Sequence, residues 1–265
     1  MPLKTLRVLI WAKTYPELSH HHTETVCTGG VLEDGWPVRL YPVQLRYLEQ
    51  HQQYGLYDWV EVPAARNRKD SRPESYRVHA AHIRVIGNVD TQRGTWRTRR
   101  DYIFRNPAWH FPSVGALKVA ESELGRSMGL VTPGAIEDVQ LRKRTDTERA
   151  QHAATLEAIQ SQTDAFKARY KELEFLDYDV RLLWRCLERC PECQNRPHKM
   201  KVLDWGLLEL GRRNGWDKAK TKLEQISNLA THEFRLFLGN FKQHPKSFGI
   251  IGLWYPKRPT QLELL

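Results

Sequence analysis

The sequence has no long hydrophobic run, and this absence limits where the protein can work. No segment of the 265 residues approaches the roughly 18 consecutive apolar residues that a membrane-spanning helix needs. The opening segment, Met1–Thr14, has a short apolar core that ends at Lys13, and it lacks a small-residue cleavage site. It therefore predicts a first strand and not a signal peptide. We expect a cytoplasmic protein with no membrane partner.

Cysteine is also scarce, with four residues in the chain. Cytoplasmic thiols stay reduced, so the sequence predicts free thiols or metal ligands and no disulfides. Cys27 stands alone in an apolar segment and is expected to be a core residue. The other three, Cys186, Cys190 and Cys193, are clustered.

The familiar catalytic motifs are missing as well. The sequence contains no glycine-rich phosphate-binding loop, no nucleophile elbow and no HExxH pair. It also has no internal repeat and no low-complexity tract. No reaction can be assigned from the sequence, and whether the protein is an enzyme stays open.

The clustered cysteines form the most specific pattern present, Cys186-x3-Cys190-x2-Cys193-x4-His198. Three thiolates and one imidazole are an established ligand set for structural zinc, and a set of four protein ligands leaves no position for a substrate. We therefore predict a structural zinc site. Inert buried thiols are the main alternative, and an iron–sulfur centre is a second one.

Positive charge is in excess, with 41 Lys and Arg against 31 Asp and Glu, a net charge of +10. Such a balance favours polyanionic partners, and nucleic acid (DNA or RNA) is the commonest of these. The densest basic segment interleaves arginines with aromatic residues, which suits contact with phosphates and unpaired bases. The alternative is that the aromatics pack in the core. The predicted nucleic-acid-binding residues are Arg93, Arg97, Arg99, Arg100 and Arg105.

A second group of polar residues lies in predicted loops and strand ends of the N-terminal half. These residues could line a ligand pocket in a small barrel, and they are Lys13, Glu24, Arg39, Arg72 and Glu74. Asp70 and Glu74 could also hold a divalent ion, although surface ion pairs explain such carboxylates more simply. His20–His22 is expected to be a solvated loop, and Asp204 is expected to cap the helix that follows it.

The hydrophobic patterns predict an α+β fold with two parts, residues 1–144 and 145–265. The first part is expected to form an antiparallel sheet or small barrel with a basic helical extension. The second is expected to be an α/β part with a long helix and a zinc-bearing β-hairpin. Strands are predicted at 6–13, 23–32, 37–41, 58–63, one or two within 76–89, 136–141, 178–187, 200–203, 234–239 and 248–255. Helices are predicted at 96–104, 114–124, 147–173, 205–213 and 217–229.

Several segments of the chain resemble a family of bacterial proteins to which no activity is attached. The segments are Lys13-Thr-Tyr-Pro16, Glu24-Thr-Val-Cys-Thr28, Arg39-Leu-Tyr-Pro42, Arg72-Pro-Glu-Ser75 and Ile250-Ile-Gly-Leu-Trp-Tyr-Pro256. His198, Met200 and Asp204-Trp205 fit the same pattern. The resemblance implies an accessory gene of mobile elements or defence clusters, and it implies no catalytic residue. The cysteine spacing varies in that family, which leaves open whether Cys190 or Cys193 is a ligand.

Three functions follow from these patterns. The first is a zinc-stabilised protein that binds DNA or RNA, as an accessory factor in bacterial nucleic-acid transactions or in defence. The second is an enzyme acting on nucleic acid or a nucleotide, with its site in the N-terminal loops. The third is a scaffold subunit of a larger protein complex, docking through the zinc hairpin or the closing strands.

Overall fold

A computed structural model describes residues 3–67, 70–161 and 171–259. The strands are β1 (Lys4–Lys13), β2 (Glu17–Ser19), β3 (Thr23–Val31), β4 (Pro37–Val43), β5 (Asp58–Arg66), β6 (Ser75–Val78), β7 (Arg84–Asn88), β8 (His110–Phe111), β9 (Met128–Val131), β10 (Pro133–Lys143), β11 (Tyr178–Cys186), β12 (His198–Lys201), β13 (Arg235–Phe241) and β14 (His244–Trp254). The helices are α1 (Arg97–Ile103), α2 (Val114–Leu124), α3 (Asp146–Ser161), α4 (Trp205–Asn214) and α5 (Trp216–Ile226). The fold is α+β, as predicted.

The N-terminal part contains a closed five-stranded barrel, which confirms the predicted small barrel. Around the barrel the order is β1-β3-β4-β6-β5, and β5 pairs with β1 to close it. All these pairings are antiparallel except that of β4 with β6. If the five barrel strands are numbered in chain order, their order around the barrel is 1-2-3-5-4, and the third and fifth strands are parallel. This is the strand order of the OB-fold, a small Greek-key barrel.

Barrel closure places apolar side chains inside and leaves one strand outside. Val8, Ile10, Val60 and Val62 are fully buried in the barrel interior. By contrast, β7 pairs with β5 alone, and all five of its residues are exposed. β7 is therefore an edge strand added to the barrel.

The C-terminal part has two further sheets. One is ordered β14-β13-β9-β8, and the other is the antiparallel ladder β10-β11-β12. β11 and β12 form the predicted hairpin, with Trp184 opposite His198. Residue Asp204 caps α4 as predicted, because its carboxylate accepts a hydrogen bond from Leu207 N at 2.9 Å.

The two parts share a continuous aromatic core. Trp11 of β1 lies 5.2 Å from Trp109 and 4.3 Å from Phe237 of β13, measured between ring centroids. Gly252 lets β14 approach β1 closely, since an added Cβ would stand 2.8 Å from the Ala12 side chain. Arg39 of β4 reaches the same half of the protein, since its guanidinium donates to Ser127 O at 3.1 Å, and every residue of β3 and β4 is buried or half-buried. The C-terminal sheet thus covers the outer barrel face that OB-folds use for ligands.

Two details of the sequence prediction were wrong. The sequence patterns predict no strand between residues 13 and 23, whereas β2 lies there and pairs with β3. The helix predicted at 147–173 ends earlier: α3 is confirmed, residues 162–170 lie outside the described residues, and residues 171–173 are not helical. Here the carbonyl groups of Lys171 and Glu172 accept hydrogen bonds from the Arg46 guanidinium instead of from a helix.

The domain boundary predicted near residue 144 stays a prediction. β9 and β10 precede it and pair with β13 and β11, which follow it. No helix of the described ranges has both the length and the apolar character needed to cross a bilayer.

Candidate functional site

The predicted metal ligands meet at the loop end of the β11–β12 hairpin. Cys186 is the last residue of β11 and His198 is the first of β12. The connection between them forms a short 3-10 turn, Pro191–Cys193, which brings the remaining two cysteines back toward the strands. All three cysteines are buried, and His198 is half-buried.

The ligand atoms of these four residues lie within 4.8 Å of one another. Nε2 of His198 is 3.4 Å from Cys186 Sγ and 3.5 Å from Cys190 Sγ. In a tetrahedral zinc site, bond lengths near 2.3 Å for sulfur and 2.0 Å for nitrogen place those two atom types about 3.5 Å apart. The two nitrogen–sulfur distances therefore match those of a site with one tetrahedrally coordinated ion. The buried cluster can hold a metal.

Helix α2 contributes to this centre, although no sequence pattern connects it with the cysteines. Ser113 caps the helix, and Val114 N donates a hydrogen bond to Cys186 Sγ at 3.4 Å. The Gly115 N–H donates to the sulfur of Cys190. Because the N-terminus of a helix carries partial positive charge, these donors favour the thiolate forms that bind metal.

Protonation at the centre follows from burial and from these donors. Burial raises the pKa of Cys186. Burial also acts to raise the pKa of Cys190, but the N–H groups of Gly115 and Cys193 outweigh it and the pKa is lowered. Burial lowers the pKa of His198, so its imidazole is neutral at pH 7. Neutral imidazole is the form that coordinates metal.

Ion pairs and hydrogen bonds fix the loop around the centre. Arg185 donates to the carbonyl groups of Cys193 and Gln194 and pairs with Glu137. Lys118 of α2 pairs with Glu192 of the loop at 2.8 Å. The metal-binding loop is thereby tied both to the β-ladder and to α2.

The five predicted nucleic-acid-binding arginines do not form one surface. Arg93 and Arg97 are exposed. Arg99 is buried, with its guanidinium 3.7 Å from the Tyr57 ring centroid and its Nε bonded to Val89 O. Arg100 is half-buried and pairs with Glu233, and Arg105 donates to Glu33 O.

Trp96, the central aromatic of this segment, packs in the core as the alternative interpretation predicted. It is 8% exposed and contacts Tyr57, Trp254 and Tyr255. The aromatic residue is therefore not available for stacking on a base.

The five predicted pocket residues do not line one cavity of the described structure either. Lys13 donates to Tyr54 O. Glu24 is bound by Arg46 through both carboxylate oxygens. The remaining three residues lie near the join of the two parts.

There, Arg39 and Glu74 both contact Ser127. The Ser127 hydroxyl donates a hydrogen bond to the Glu74 carboxylate at 2.9 Å, and the Ser127 carbonyl oxygen accepts one from the Arg39 guanidinium. Arg72 forms a bidentate pair with Asp70. Asp70 forms an ion pair as expected, but the surface location expected for Asp70 and Glu74 was wrong, because both side chains are buried. Their burial depends on the C-terminal half covering the barrel, which local sequence does not encode. His20–His22 is a turn, as expected.

Exposed cations lie on the segments that pack around Tyr255, and sequence reasoning missed three of them, Lys218, Lys222 and Lys257. Lys222 Nζ is 6.0 Å from the centroid of the Tyr255 ring, and the Trp96 ring is 5.1 Å from it. Arg97 follows Trp96 directly in the chain, and Arg93 precedes it by three residues. Lys257 forms an antiparallel β-bridge with His232. The pKa of His232 is lowered by burial and by the charges of Lys257 and Lys222. We call this group the basic patch, and its members are Arg93, Arg97, Lys218, Lys222 and Lys257. None of them forms an ion pair with a described residue.

Two family models match the chain in tandem. The first, DUF8758, is described as a domain of unknown function and matches residues 4–105. The second, DUF8757, has the same description and matches residues 111–265, a range that includes α2, all four candidate ligands and the β13–β14 hairpin. No curated protein and no solved structure matches the chain.

Proposed function

The chain belongs to the DUF8757 family over residues 111–265, and from the metal centre and the basic patch in this structure we propose that it is a zinc-stabilised nucleic-acid-binding protein. The family description names no activity, so the proposal depends on the geometry of this chain. Its zinc part and its nucleic-acid part depend on separate observations.

Zinc is supported by the donor set and by its size. One nitrogen and three sulfur donors suit zinc, and their spacing fits one ion. The ligands of an iron–sulfur cluster bind different iron atoms and are therefore spread more widely. Four protein ligands would complete a tetrahedral coordination shell and leave no position for a substrate, which supports a structural role over a catalytic one.

The basic patch is the observation that carries the nucleic-acid part of the proposal. Five exposed cations without an ion-pair partner create a field that attracts phosphates, and each phosphate contact releases a counterion. The covered face of β3 and β4 cannot serve this purpose. The enzyme alternative gains no comparable support, because its five candidate residues do not share a cavity.

Metal analysis tests the zinc part. We expect one zinc per chain in the purified protein and less than about a tenth of that in a Cys190→Ser variant, since a missing ligand opens the tetrahedron. Cys27→Ser is the matched control, and it should keep its zinc because Cys27 lies outside the cluster. Wild-type protein without metal would overturn this part.

A salt titration of affinity tests the nucleic-acid part. For the double variant Lys222→Ala/Lys257→Ala, we expect the slope of log affinity against log salt to fall by about 1.4 for a single strand or 1.8 for a duplex. The control Lys4→Ala/Lys143→Ala removes two exposed lysines elsewhere and should leave the slope unchanged. If wild-type protein binds neither single strands nor duplexes at 50 mM salt, the proposal is wrong.

A further inference from the structure

The β13–β14 hairpin ends in an exposed tip that belongs to neither site above. Phe241 and His244 pair across a two-residue turn, and residues 241–247 are all exposed. The ring of Phe241 is held at its edge near Gly249 and is 37% exposed. Lys242 and Lys246 form no ion pair with any residue in the described ranges.

Beside this tip lies a cleft of about 350 Å³ with walls from three parts of the chain. One wall is the barrel loop with Asp70 and Arg72, and another is the end of α2 with Glu121. The third is the hairpin itself, with Phe241 and Lys242 at the mouth. Arg72 joins the loop to the hairpin base, because its Nη1 is 3.4 Å from Asn240 Oδ1.

Charge is distributed unevenly across this cleft. The cations with no partner, Lys242 and Lys246, lie on the hairpin tip. Inside, Arg72 is neutralised by Asp70, whereas the carboxylate of the half-buried Glu121 has neither a hydrogen bond nor an ion pair with a described residue. The interior therefore repels phosphate and offers an acceptor, and the rim attracts phosphate.

We propose that this cleft and hairpin tip bind an unpaired nucleobase that carries an exocyclic amino group. Phe241 stacks on the base, Lys242 and Lys246 contact the flanking phosphates, and Glu121 accepts a hydrogen bond from the amino group. Carboxylates accept from the amino group of cytosine in the same way, and thymine and uracil have no such donor. An intact duplex keeps its bases stacked and cannot use this site.

This inference rests on the proposed function, since it names the form of nucleic acid that is bound. The two can fail separately because the tip and the basic patch share no residue. A protein that binds through the patch alone would take single strands and duplexes without using Phe241.

The test is fluorescence anisotropy with labelled oligo(dC), oligo(dT) and a duplex hairpin of equal charge. We expect wild-type protein to bind oligo(dC) at least about fivefold more tightly than oligo(dT). The Phe241→Ala variant should lose about 5- to 150-fold in affinity for oligo(dC), the range that stacking of one base supplies. Its affinity for the duplex should not change.

Three controls make the outcome decisive. Phe241→Trp should restore binding, because it keeps a stacking surface. Glu121→Gln should reduce the preference for oligo(dC) over oligo(dT) and keep the affinity for oligo(dT). Leu124→Ala, which truncates another exposed apolar side chain, should bind as the wild type does.

Equal affinity of wild-type protein for oligo(dC) and oligo(dT), or unchanged binding by Phe241→Ala, would overturn the inference and leave the proposed function standing. Binding of the duplex alone would overturn it too. Absence of all binding would reject both.

Discussion

Individual buried charges connect the barrel to the C-terminal half. Asp204 caps α4 and is buried next to Lys13 of β1. Burial raises the pKa of Asp204 to about 6, although the Leu207 N–H and the charge of Lys13 oppose the shift. Because the folded protein binds this proton more tightly than the unfolded chain does, the free energy of unfolding falls as pH rises from about 4 to about 6.

We expect Asp204→Asn to remove that pH dependence. Asparagine is an equally good cap, so the helix keeps its N-terminal hydrogen bond. Urea unfolding at pH 4, 5, 6 and 7 should show that the free energy of unfolding of the wild type, relative to that of the variant, falls by up to about 3 kcal/mol across this range. The control Asp217→Asn, in the exposed first turn of α5, should behave as the wild type does. A variant with the wild-type slope would contradict the assignment.

Sequence reasoning worked at this scale where the chemistry is local. Cys186, Cys190, Cys193 and His198 could be predicted together because a metal-binding loop brings its ligands together over a few residues. Arg99 and Glu74 could not be placed. Arg99 packs on Tyr57 and Glu74 accepts a hydrogen bond from Ser127, and both partners are distant in sequence. The residues next to Arg99 and Glu74 in the chain do not predict these contacts.

At the scale of elements, the metal centre depends on a helix as well as on a hairpin. At the N-terminus of α2, the Val114 N–H donates a hydrogen bond to Cys186 Sγ. Lys118 of the same helix forms an ion pair with Glu192 of the metal-binding loop. Outer-shell donors of this kind orient the ligands and favour their charged form. Metal binding and the docking of α2 should therefore stabilise each other.

Val114→Pro tests this coupling. Proline is well tolerated at the first position of a helix, and Ser113 before it is already extended, but the N–H that faces Cys186 is lost. We expect zinc affinity, measured by competition with a chromophoric chelator, to fall about 10- to 100-fold relative to Val114→Ala. The alanine variant loses the same buried side-chain contacts and keeps the N–H. Equal affinities in the two variants would show that α2 packs on the centre without supporting it.

Strand and helix positions were largely predictable, whereas their partners were not. Alternating apolar residues gave β1, β3, β5 and β11 close to their observed bounds. The parallel pairing of β4 with β6, which the closed barrel requires, involves only two residue pairs, Arg39 with Ser75 and Leu40 with Tyr76. No pattern within either strand encodes so short a contact between distant segments.

On the scale of the whole molecule, the two matched regions are held by one aromatic core. Trp11 of the first region, Phe237 and Trp254 of the second, and Trp109 between them are each at most 1% exposed. Separating the regions would expose these side chains, together with the outer face of β3 and β4. The barrel thus depends on the C-terminal sheet as a cover.

We expect neither residues 1–105 nor residues 106–265 to fold alone, and we expect Trp11→Ala to destabilise the full chain by about 3–5 kcal/mol. Heteronuclear NMR of the fragments and chemical denaturation of the variant would measure these effects. Trp36→Phe, which changes a half-buried ring outside this core, is the control and should cost less than about 1.5 kcal/mol. A well-dispersed spectrum from the isolated barrel would show that the cover is dispensable.

Trp184 gives the metal centre an optical reporter of its own. Its indole is fully buried, and its ring centroid lies 5.0 Å from that of the ligand His198. Any movement or protonation of His198 on metal loss changes the surroundings of this fluorophore. Emission at fixed protein concentration therefore follows loading of the centre without an added dye, and Trp184→Phe separates that signal from the other eight tryptophans.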